Sequence, residues 1–214
     1  MEKVIEKIRE TVIQGNGEEM SQLIRSALEA GMPAGRILSG GLIDAMHVVG
    51  RHMKSGEMFI PEVLLSARTM QKGVEMLSPC LSDSEPAQEG VIVIGTVEGD
   101  LHDIGKNLVS LMLQGAGFKV IDLGINVMPS AFVEAVRIHK PQVLGMSALL
   151  TTTVMKMKET LIALETAGVR DQVKVMAGGA PVTQNLVEDF GADGYGSSAP
   201  IAVDLARKFV ESPS

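Results

Sequence analysis

Asp100 and His102 are the pair of residues in this chain whose types and spacing most favour metal chemistry. They follow a short apolar run, and in extended backbone two side chains separated by one residue point the same way. A carboxylate bound to one imidazole nitrogen fixes the tautomer and raises the basicity of the other nitrogen. The pair therefore suits a metal ligand, and Gly99 and Gly105 would let a large group approach the backbone.

Simpler interpretations of the same residues stay open. His102 would then be an ordinary loop histidine, and glycines at this position also occur in phosphate-binding loops. A zinc site fits poorly, because zinc usually takes three or four protein ligands and the single cysteine, Cys80, lies in the other half of the chain. The remaining histidines show no spacing that would gather them around His102: His47, His52 and His139. A metal held by the four nitrogens of a macrocycle needs only one protein ligand.

From residue 90 onward the sequence alternates between short apolar runs and helical patterns. Strands are predicted at 91–94, 118–123, 142–147, 172–177 and 193–195, and helices at 103–116, 129–139, 153–167, 182–190 and 199–211. Strict alternation predicts a five-stranded parallel sheet covered by helices, in a Rossmann-like (flavodoxin-like) α/β fold. Such sheets bind ligands beyond the carboxyl ends of their strands, and the Asp-X-His pair follows the first strand.

The N-terminal part reads as helix throughout. Helical periodicity and breaks at glycine and proline predict helices near 4–12, 18–29, 34–54 and 61–81, which together favour a four-helix bundle. Two adjacent glycines, Gly40 and Gly41, fall inside the third helix and would mark close helix packing. The polar segment 82–89 then contains the linker, so we predict a bundle at 1–82, a linker at 83–89 and the α/β domain at 90–214.

Composition and charge exclude several classes of function. The formal net charge is −7 and the sequence pI is about 5.1, which argues against nucleic acid as a partner. No apolar run reaches the roughly 18 residues that a membrane span needs. The charged N-terminus is unlike a secretory signal, and one cysteine cannot form an internal disulfide. We therefore expect a soluble cytoplasmic protein without a membrane partner.

Three motifs, at the ends of the first, third and fourth predicted strands, resemble the cobalamin-binding domain of B12-dependent methionine synthase. They are Asp100-X-His102-X-X-Gly105, Ser147-X-Leu149 placed 45 residues after His102, and Gly178-Gly179. The resemblance implies that the cofactor's own benzimidazole leaves cobalt and runs into the protein. It also implies that His102 replaces that base as the axial ligand of cobalt.

The resemblance assigns further residues to the cofactor site. Ser147 and Thr151 would offer hydroxyls to the nucleotide tail, and Thr153 stands where methionine synthase has a serine. Asp100 and Thr153 are the candidates for a proton relay to His102. The complete set implied in this domain is Gly99, Asp100, His102, Asp103, Ile104, Gly105, Ser147, Leu149, Thr151, Thr153, Gly178 and Gly179.

Residues 43–77 resemble the helical cap that covers the methyl face of the corrin in methionine synthase. Met53 and Ile60 fall where that cap has a phenylalanine and a leucine, so the apolar contact would differ in shape. The resemblance covers about residues 5–210, and a bundle followed by a cobalamin-binding domain is similar to the small corrinoid proteins of methanogens and acetogens.

This family resemblance implies a methyl carrier that is not an enzyme by itself. Cobalamin or a related corrinoid would alternate between cob(I)amide and methylcob(III)amide states. The carrier would accept methyl from a substrate-specific methyltransferase and deliver it to a second methyltransferase, which acts on tetrahydrofolate or coenzyme M. A reductive activase is a further expected partner. The methyl donor stays open among methanol, methylamines, betaines and aryl methyl ethers.

Three other classes share parts of this pattern. An adenosylcobalamin-dependent mutase subunit has the same Asp-X-His-X-X-Gly motif but pairs with a barrel domain, which the helical cap disfavours. A B12-sensing regulator combines a bundle with this domain, but this chain is acidic and has no DNA-binding segment. A response-regulator receiver needs a phosphoacceptor aspartate after the third strand, where Ser147 stands.

Overall fold

The computed structural model describes residues 2–80 and 89–211, and the chain divides into two compact units. In the first unit the helices are α1 (Glu2–Ile13), α2 (Gly17–Glu29), α3 (Ala34–Arg36), α4 (Asp44–Ser55) and α5 (Ile60–Leu77), with a π-helical segment (Ile37–Ile43) between α3 and α4 and a 3-10 turn (Ser78–Cys80) after α5. The α3, π-helical and α4 segments together form the third helix predicted at 34–54. The predicted bundle is therefore confirmed. The fourth helix is shorter than expected, since α5 gives way to the 3-10 turn after Leu77.

The glycine pair within the third helix lies where this helix packs closely against α1. A Cβ atom on Gly41 would come within 2.9 Å of the Ile8 Cγ2 atom, so a larger residue would push the two helices apart. The carbonyl of Gly40 also accepts a hydrogen bond of 2.9 Å from the Arg9 guanidinium. Close packing at the glycines, which the sequence predicted, is confirmed.

The second unit is a parallel sheet between layers of helices. Its strands are β1 (Val91–Thr96), β2 (Lys119–Asp122), β3 (Val143–Ser147), β4 (Lys174–Gly178) and β5 (Gly194–Tyr195), and its helices are α6 (Ile104–Gly115), α7 (Pro129–His139), α8 (Met155–Thr166), α9 (Gln184–Phe190) and α10 (Ala199–Glu211), with a 3-10 turn (Arg170–Gln172) before β4. In the described part of the chain the strand order is β2-β1-β3-β4-β5, which is the flavodoxin-like order. The predicted fold class is confirmed.

Apolar residues cover both faces of this sheet, as a parallel sheet requires. Phe132 of α7, Leu144 of β3 and Met157 of α8 are fully buried in one core cluster. In the register of the sheet Thr96 pairs with Ser147, and Ser147 pairs with Gly178. The last residues of β1, β3 and β4 therefore lie side by side, and the loops that follow them start at one edge.

Two further findings concern regions outside these elements. Apart from Glu89, the predicted linker 83–89 lies outside the described residues, so the domain boundaries at 1–82 and 90–214 stay a prediction. Within residues 2–80 and 89–211, no helix has both the length and the apolar character that crossing a bilayer requires.

Candidate cofactor site

The candidate site lies at the point where the connections of the sheet reverse direction. The chain leaves β1 towards β2 on one side, and it leaves β3 towards β4 on the other side. Neighbouring strands whose connections diverge leave a crevice beyond their carboxyl ends, which is where such folds bind ligands. The loop after β1 carries Asp100 and His102, and the loop after β3 carries residues 148–154.

Asp100 and His102 form the hydrogen bond that the sequence predicted. The Nδ1 atom of His102 lies 2.8 Å from the Asp100 Oδ1 atom, and the Asp100 side chain is fully buried whereas that of His102 is half exposed. A carboxylate only accepts, so Nδ1 carries the hydrogen and Nε2 keeps a lone pair for a metal. The pair does not follow the strand directly, because β1 ends at Thr96 and the Asp100 N–H donates to the Val97 carbonyl in an intervening turn.

The carboxylate of Asp100 collects hydrogen bonds from both loops. Its Oδ1 atom also accepts the His102 backbone N–H at 3.1 Å. Its Oδ2 atom accepts the backbone N–H groups of Leu149 at 2.7 Å and of Leu150 at 3.3 Å. The hydroxyl of Thr153 lies 2.7 Å from the same oxygen and is buried. The buried carboxylate is therefore saturated with donors, and it joins the loop after β1 to the loop after β3.

These donors determine the protonation state of Asp100. Burial alone would raise the pKa of the Asp100 carboxyl, because it disfavours the charged form. The hydrogen bonds from the Thr153 hydroxyl and the Leu149 backbone outweigh burial, and those from His102 add to them. The pKa of Asp100 consequently lies well below its usual range, and the carboxylate stays charged next to the imidazole at neutral pH.

The loop that carries His102 is held at several other points. The hydroxyl of Thr96, which is buried, donates to the His102 carbonyl at 2.9 Å. Glu98 forms an ion pair of 3.2 Å with Lys156 in the first turn of α8. Pairing with Glu159 first, and with Glu98 next, raises the pKa of Lys156. These contacts fix the loop before any ligand is bound.

Exposed apolar side chains lie in the loops around this polar pair. The large ones lie after β1, β2 and β3, at the carboxyl edge of the sheet: Leu101, Ile104, Ile125, Met128, Leu149, Leu150 and Met155. Ile104 is 76% exposed, which is unusual for a side chain of its size in a folded protein. An apolar surface around a half-exposed histidine suits a flat, largely apolar ligand whose centre binds one nitrogen.

The physical reason for glycine differs among the glycines of the predicted motifs. A Cβ atom on Gly179 would fall 1.8 Å from the Ala148 carbonyl oxygen, so the fold itself requires glycine there. Gly99 has φ +80°, a conformation that other residues rarely adopt. At Gly105 a Cβ atom would meet no atom within 4 Å. Space left open in the first turn of α6, three residues from His102, fits a group that lies against this turn.

The remaining predicted residues of the α/β unit lie beside His102 and at the ends of β3 and β4. Asp103 and Ile104 are exposed beside His102, whereas Ser147 is partly buried and Thr151 is exposed after β3. Gly178 lies at the end of β4, where a Cβ atom would come within 2.6 Å of the Gly196 carbonyl oxygen.

The two residues predicted for the cap lie in the helical unit. Met53 belongs to α4 and is partly buried, and Ile60 begins α5 and is 46% exposed. Phe59, which the sequence did not single out, is 68% exposed in that unit.

Comparison with known proteins assigns the family. The B12 binding domain family matches residues 90–204, and a second B12 binding domain family matches residues 4–78. The chain belongs to the B12-binding corrinoid proteins. It is 43% identical over 204 residues to the trimethylamine corrinoid protein of Methanosarcina barkeri, covering 94% of each chain.

Two solved structures are similar to this corrinoid protein over nearly its whole length. One is the methanol:cobalamin methyltransferase complex of Methanosarcina barkeri, with a TM-score of 0.90, 32% identity, and coverage of 98% of this chain and 80% of that chain. The other is a cobalamin-binding protein of Desulfitobacterium hafniense, with a TM-score of 0.79, 30% identity, and coverage of 96% and 98%. The predicted family and corrinoid cofactor are thereby confirmed.

Several functional groups of the corrinoid protein were not predicted from its sequence. The backbone N–H groups of Leu149 and Leu150 bind Asp100, but any residue type could supply them. The Thr96 hydroxyl was not predicted either. A polar residue at the end of an apolar strand, however, is a feature from which its role could have been predicted. The residues of the site fit a corrinoid through the half-exposed imidazole, the apolar surface around it and the open space at Gly105.

Proposed function

We propose that this chain carries a methyl group on the cobalt of a bound corrinoid, between a substrate-specific methyltransferase and a second methyltransferase. The observation that carries the proposal is the buried Asp100 carboxylate bound to Nδ1 of the half-exposed His102. That contact leaves Nε2 as the nitrogen that would bind cobalt. When bound, the corrinoid supplies a metal that can accept a methyl group and release it again.

The residues around the metal position would control the histidine rather than the methyl group. Asp100 keeps the hydrogen on Nδ1 while Nε2 is engaged, and it stabilises the imidazolium if Nε2 takes up a proton. The Thr153 hydroxyl, 2.7 Å from Asp100, is the next group along which that proton can be relayed. The exposed apolar side chains of Leu101 and Ile104 would keep water away from a metal bound by Nε2.

The partners of the chain follow from its relatives. One of the two similar solved structures is a methanol:cobalamin methyltransferase complex, which supports a methyltransferase partner for this chain. The names of the similar trimethylamine and dimethylamine corrinoid proteins make methylated amines the first donors to test. Tetrahydrofolate or coenzyme M as the acceptor, and a reductive activase, belong to the same proposal.

Residues outside the α/β unit enter the proposal only through the resemblance. The segment 83–89 would join a cap at 1–82 to the corrinoid domain at 90–214 and would act as the hinge. Met53 and Ile60 would supply the apolar surface of that cap. Each of the two residues can be replaced by alanine, and the rate of methyl transfer by each variant then tests its role.

Replacement of the histidine tests the ligand assignment directly. The His102→Ala variant, reconstituted with aquocobinamide, a corrinoid without a benzimidazole base, and reduced to the Co(II) form, should lose the nitrogen splitting in its electron paramagnetic resonance spectrum. Methyl transfer from a methylamine methyltransferase should slow, and added imidazole should restore part of the splitting. The matched control is His139→Ala, which removes an exposed histidine at the end of α7. An unchanged spectrum in His102→Ala would overturn the assignment.

A further inference from the structure

Asn126 lies in the loop between β2 and α7 and has an unusual backbone conformation. Its φ is +52°, and Lys140, with φ +45°, is the other non-glycine residue with positive φ in the described chain. Lys140 ends helix α7, where a left-handed residue is the ordinary way to terminate a helix. Asn126 terminates no helix. A left-handed residue that the fold does not require often marks a functional position.

The contacts of Asn126 go to the loop that carries the Asp-X-His pair. Its side-chain Oδ1 atom accepts the Gly99 backbone N–H at 2.7 Å. Its own backbone N–H donates to the Asp100 carbonyl at 3.0 Å. One residue therefore binds two consecutive residues, and the second of these is the aspartate that orients His102.

The loop that carries Asn126 is itself anchored at both sides. At its start, Asp122 accepts the Gly124 backbone N–H at 2.8 Å and also pairs with Lys106, whose side chain is buried. At its end, the Val127 backbone N–H donates to the Thr96 carbonyl at 2.9 Å. A buried lysine is stable only when it is paired, so the start of the loop is firmly fixed. Asn126 thus acts from a rigid support.

We propose that Asn126 is a positioning residue for the axial histidine, acting through Gly99 and Asp100. The proposal rests on the proposed ligation of cobalt by His102 and adds a residue from a third strand end. The Asp100 carboxylate meets its donors on both loops only if the backbone of residues 99–100 stays in place. Asn126 holds this backbone, so its loss should weaken the alignment of His102 without removing any group that touches the metal.

Three substitutions separate the side-chain contact from the backbone conformation. Asn126→Gly tolerates positive φ and keeps the backbone N–H, but it loses the acceptor for Gly99. Asn126→Asp keeps an oxygen acceptor for Gly99, and aspartate, like asparagine, tolerates positive φ. Lys140→Gly is the matched control, because it places glycine at the other left-handed position, at the exposed end of α7.

The first measurement uses the protein without cofactor. Hydrogen exchange of the Gly99 amide, followed by NMR, should become several-fold faster in Asn126→Gly than in the wild type, since an amide that loses its acceptor loses protection. Asn126→Asp and Lys140→Gly should keep the slow exchange of this amide.

The second measurement uses the chain reconstituted with aquocobinamide, which has no benzimidazole base, and reduced to Co(II). The ratio of histidine-bound to histidine-free cobalt, read from the nitrogen splitting, should fall about two- to tenfold in Asn126→Gly, which is the range expected for one hydrogen bond. Asn126→Asp should stay within about twofold of wild type, and Lys140→Gly should not change the ratio even if it changes the melting temperature.

Each outcome decides between the proposals. Faster Gly99 exchange together with a lower ratio in Asn126→Gly, and recovery in Asn126→Asp, supports the positioning role. A wild-type ratio in Asn126→Gly, while His102→Ala loses its splitting, overturns the positioning role and leaves the proposed function intact. Wild-type splitting in His102→Ala overturns the ligation of cobalt by His102, and the role of Asn126 in ligation with it.

Discussion

Replacement of Asp100 by asparagine should change which nitrogen of His102 carries the hydrogen. The Oδ2 atom of Asp100 accepts three donors, from Leu149, Leu150 and Thr153, and its Oδ1 atom accepts two from His102. An asparagine has one acceptor oxygen, and the side with three donors should take it. The NH₂ group then faces the backbone N–H and Nδ1 of His102.

An amide NH₂ group beside Nδ1 reverses the tautomer of the imidazole. Nδ1 must now accept, so the hydrogen moves to Nε2, and a protonated Nε2 cannot bind a metal. The wild-type bond from Nδ1 to the carboxylate is charge-assisted, and such bonds are worth about 1.5–3 kcal/mol. The ratio of histidine-bound to histidine-free cobalt should therefore fall by roughly ten- to 150-fold.

The assay is the Co(II) resonance spectrum of Asp100→Asn reconstituted with aquocobinamide, which has no benzimidazole base, together with the visible spectrum of the Co(III) form. Asp193→Asn is the matched control, because Asp193 also accepts a backbone N–H, from Val175 at 2.8 Å, and an arginine, Arg170 at 2.7 Å. This control should lose stability but keep its nitrogen splitting. Splitting of wild-type strength in Asp100→Asn would refute the argument that the carboxylate selects the tautomer.

Three further predictions concern the stability of the cofactor-free protein and its binding of the corrinoid. Gly105→Ala should leave the cofactor-free protein as stable as the wild type or more stable by up to about 1 kcal/mol, because alanine favours helix, yet it should weaken corrinoid binding in a titration followed by absorbance. Gly179→Ala should instead destabilise the cofactor-free protein, since its Cβ atom would overlap the Ala148 carbonyl, and equal melting temperatures would contradict this. The folded state depresses the pKa of Asp100, so its charge stabilises the fold at pH above the unfolded value of about 3.9 and this contribution is lost as pH falls below it. The difference in unfolding free energy between wild type and Asp100→Asn should be constant from pH 7 to about 5 and shrink below about pH 4. A difference that grows on acidification would contradict this prediction.

The sequence predicted those parts of the fold that periodicity and turn residues specify. The apolar run 91–94 lies in β1, the strand predicted at 142–147 corresponds to β3 (Val143–Ser147), and the ends of helices α7 and α10 agree with the predicted bounds. The contact between Asp100 and His102 was also predicted, although its reason was different. The sequence predicts that the pair continues the extended strand, whereas a turn closed by the Asp100 N–H separates the pair from β1.

Groups that act through the backbone were beyond prediction from the sequence. Leu149 donates its backbone N–H to the Asp100 carboxylate, and Asn126 adopts a left-handed conformation. Neither residue type indicates these features in the sequence. The resemblance places Gly178 and Gly179 among the residues of the cofactor site. Their surroundings show that backbone crowding already excludes a side chain at both, so these glycines say little about the ligand.

Residues that the fold explains by itself therefore carry less functional information than residues that it leaves unexplained. Gly179 is needed by the turn that contains it, and the buried Thr96 satisfies a loop carbonyl. Gly105 instead sits in a helix, where glycine costs about 1 kcal/mol relative to alanine, and a side chain there would meet nothing. Ile104 beside it exposes apolar surface to water. Both costs have a physical reason once a broad apolar ligand covers the first turn of α6, and His102, two residues before Ile104, then supplies the nitrogen at its centre.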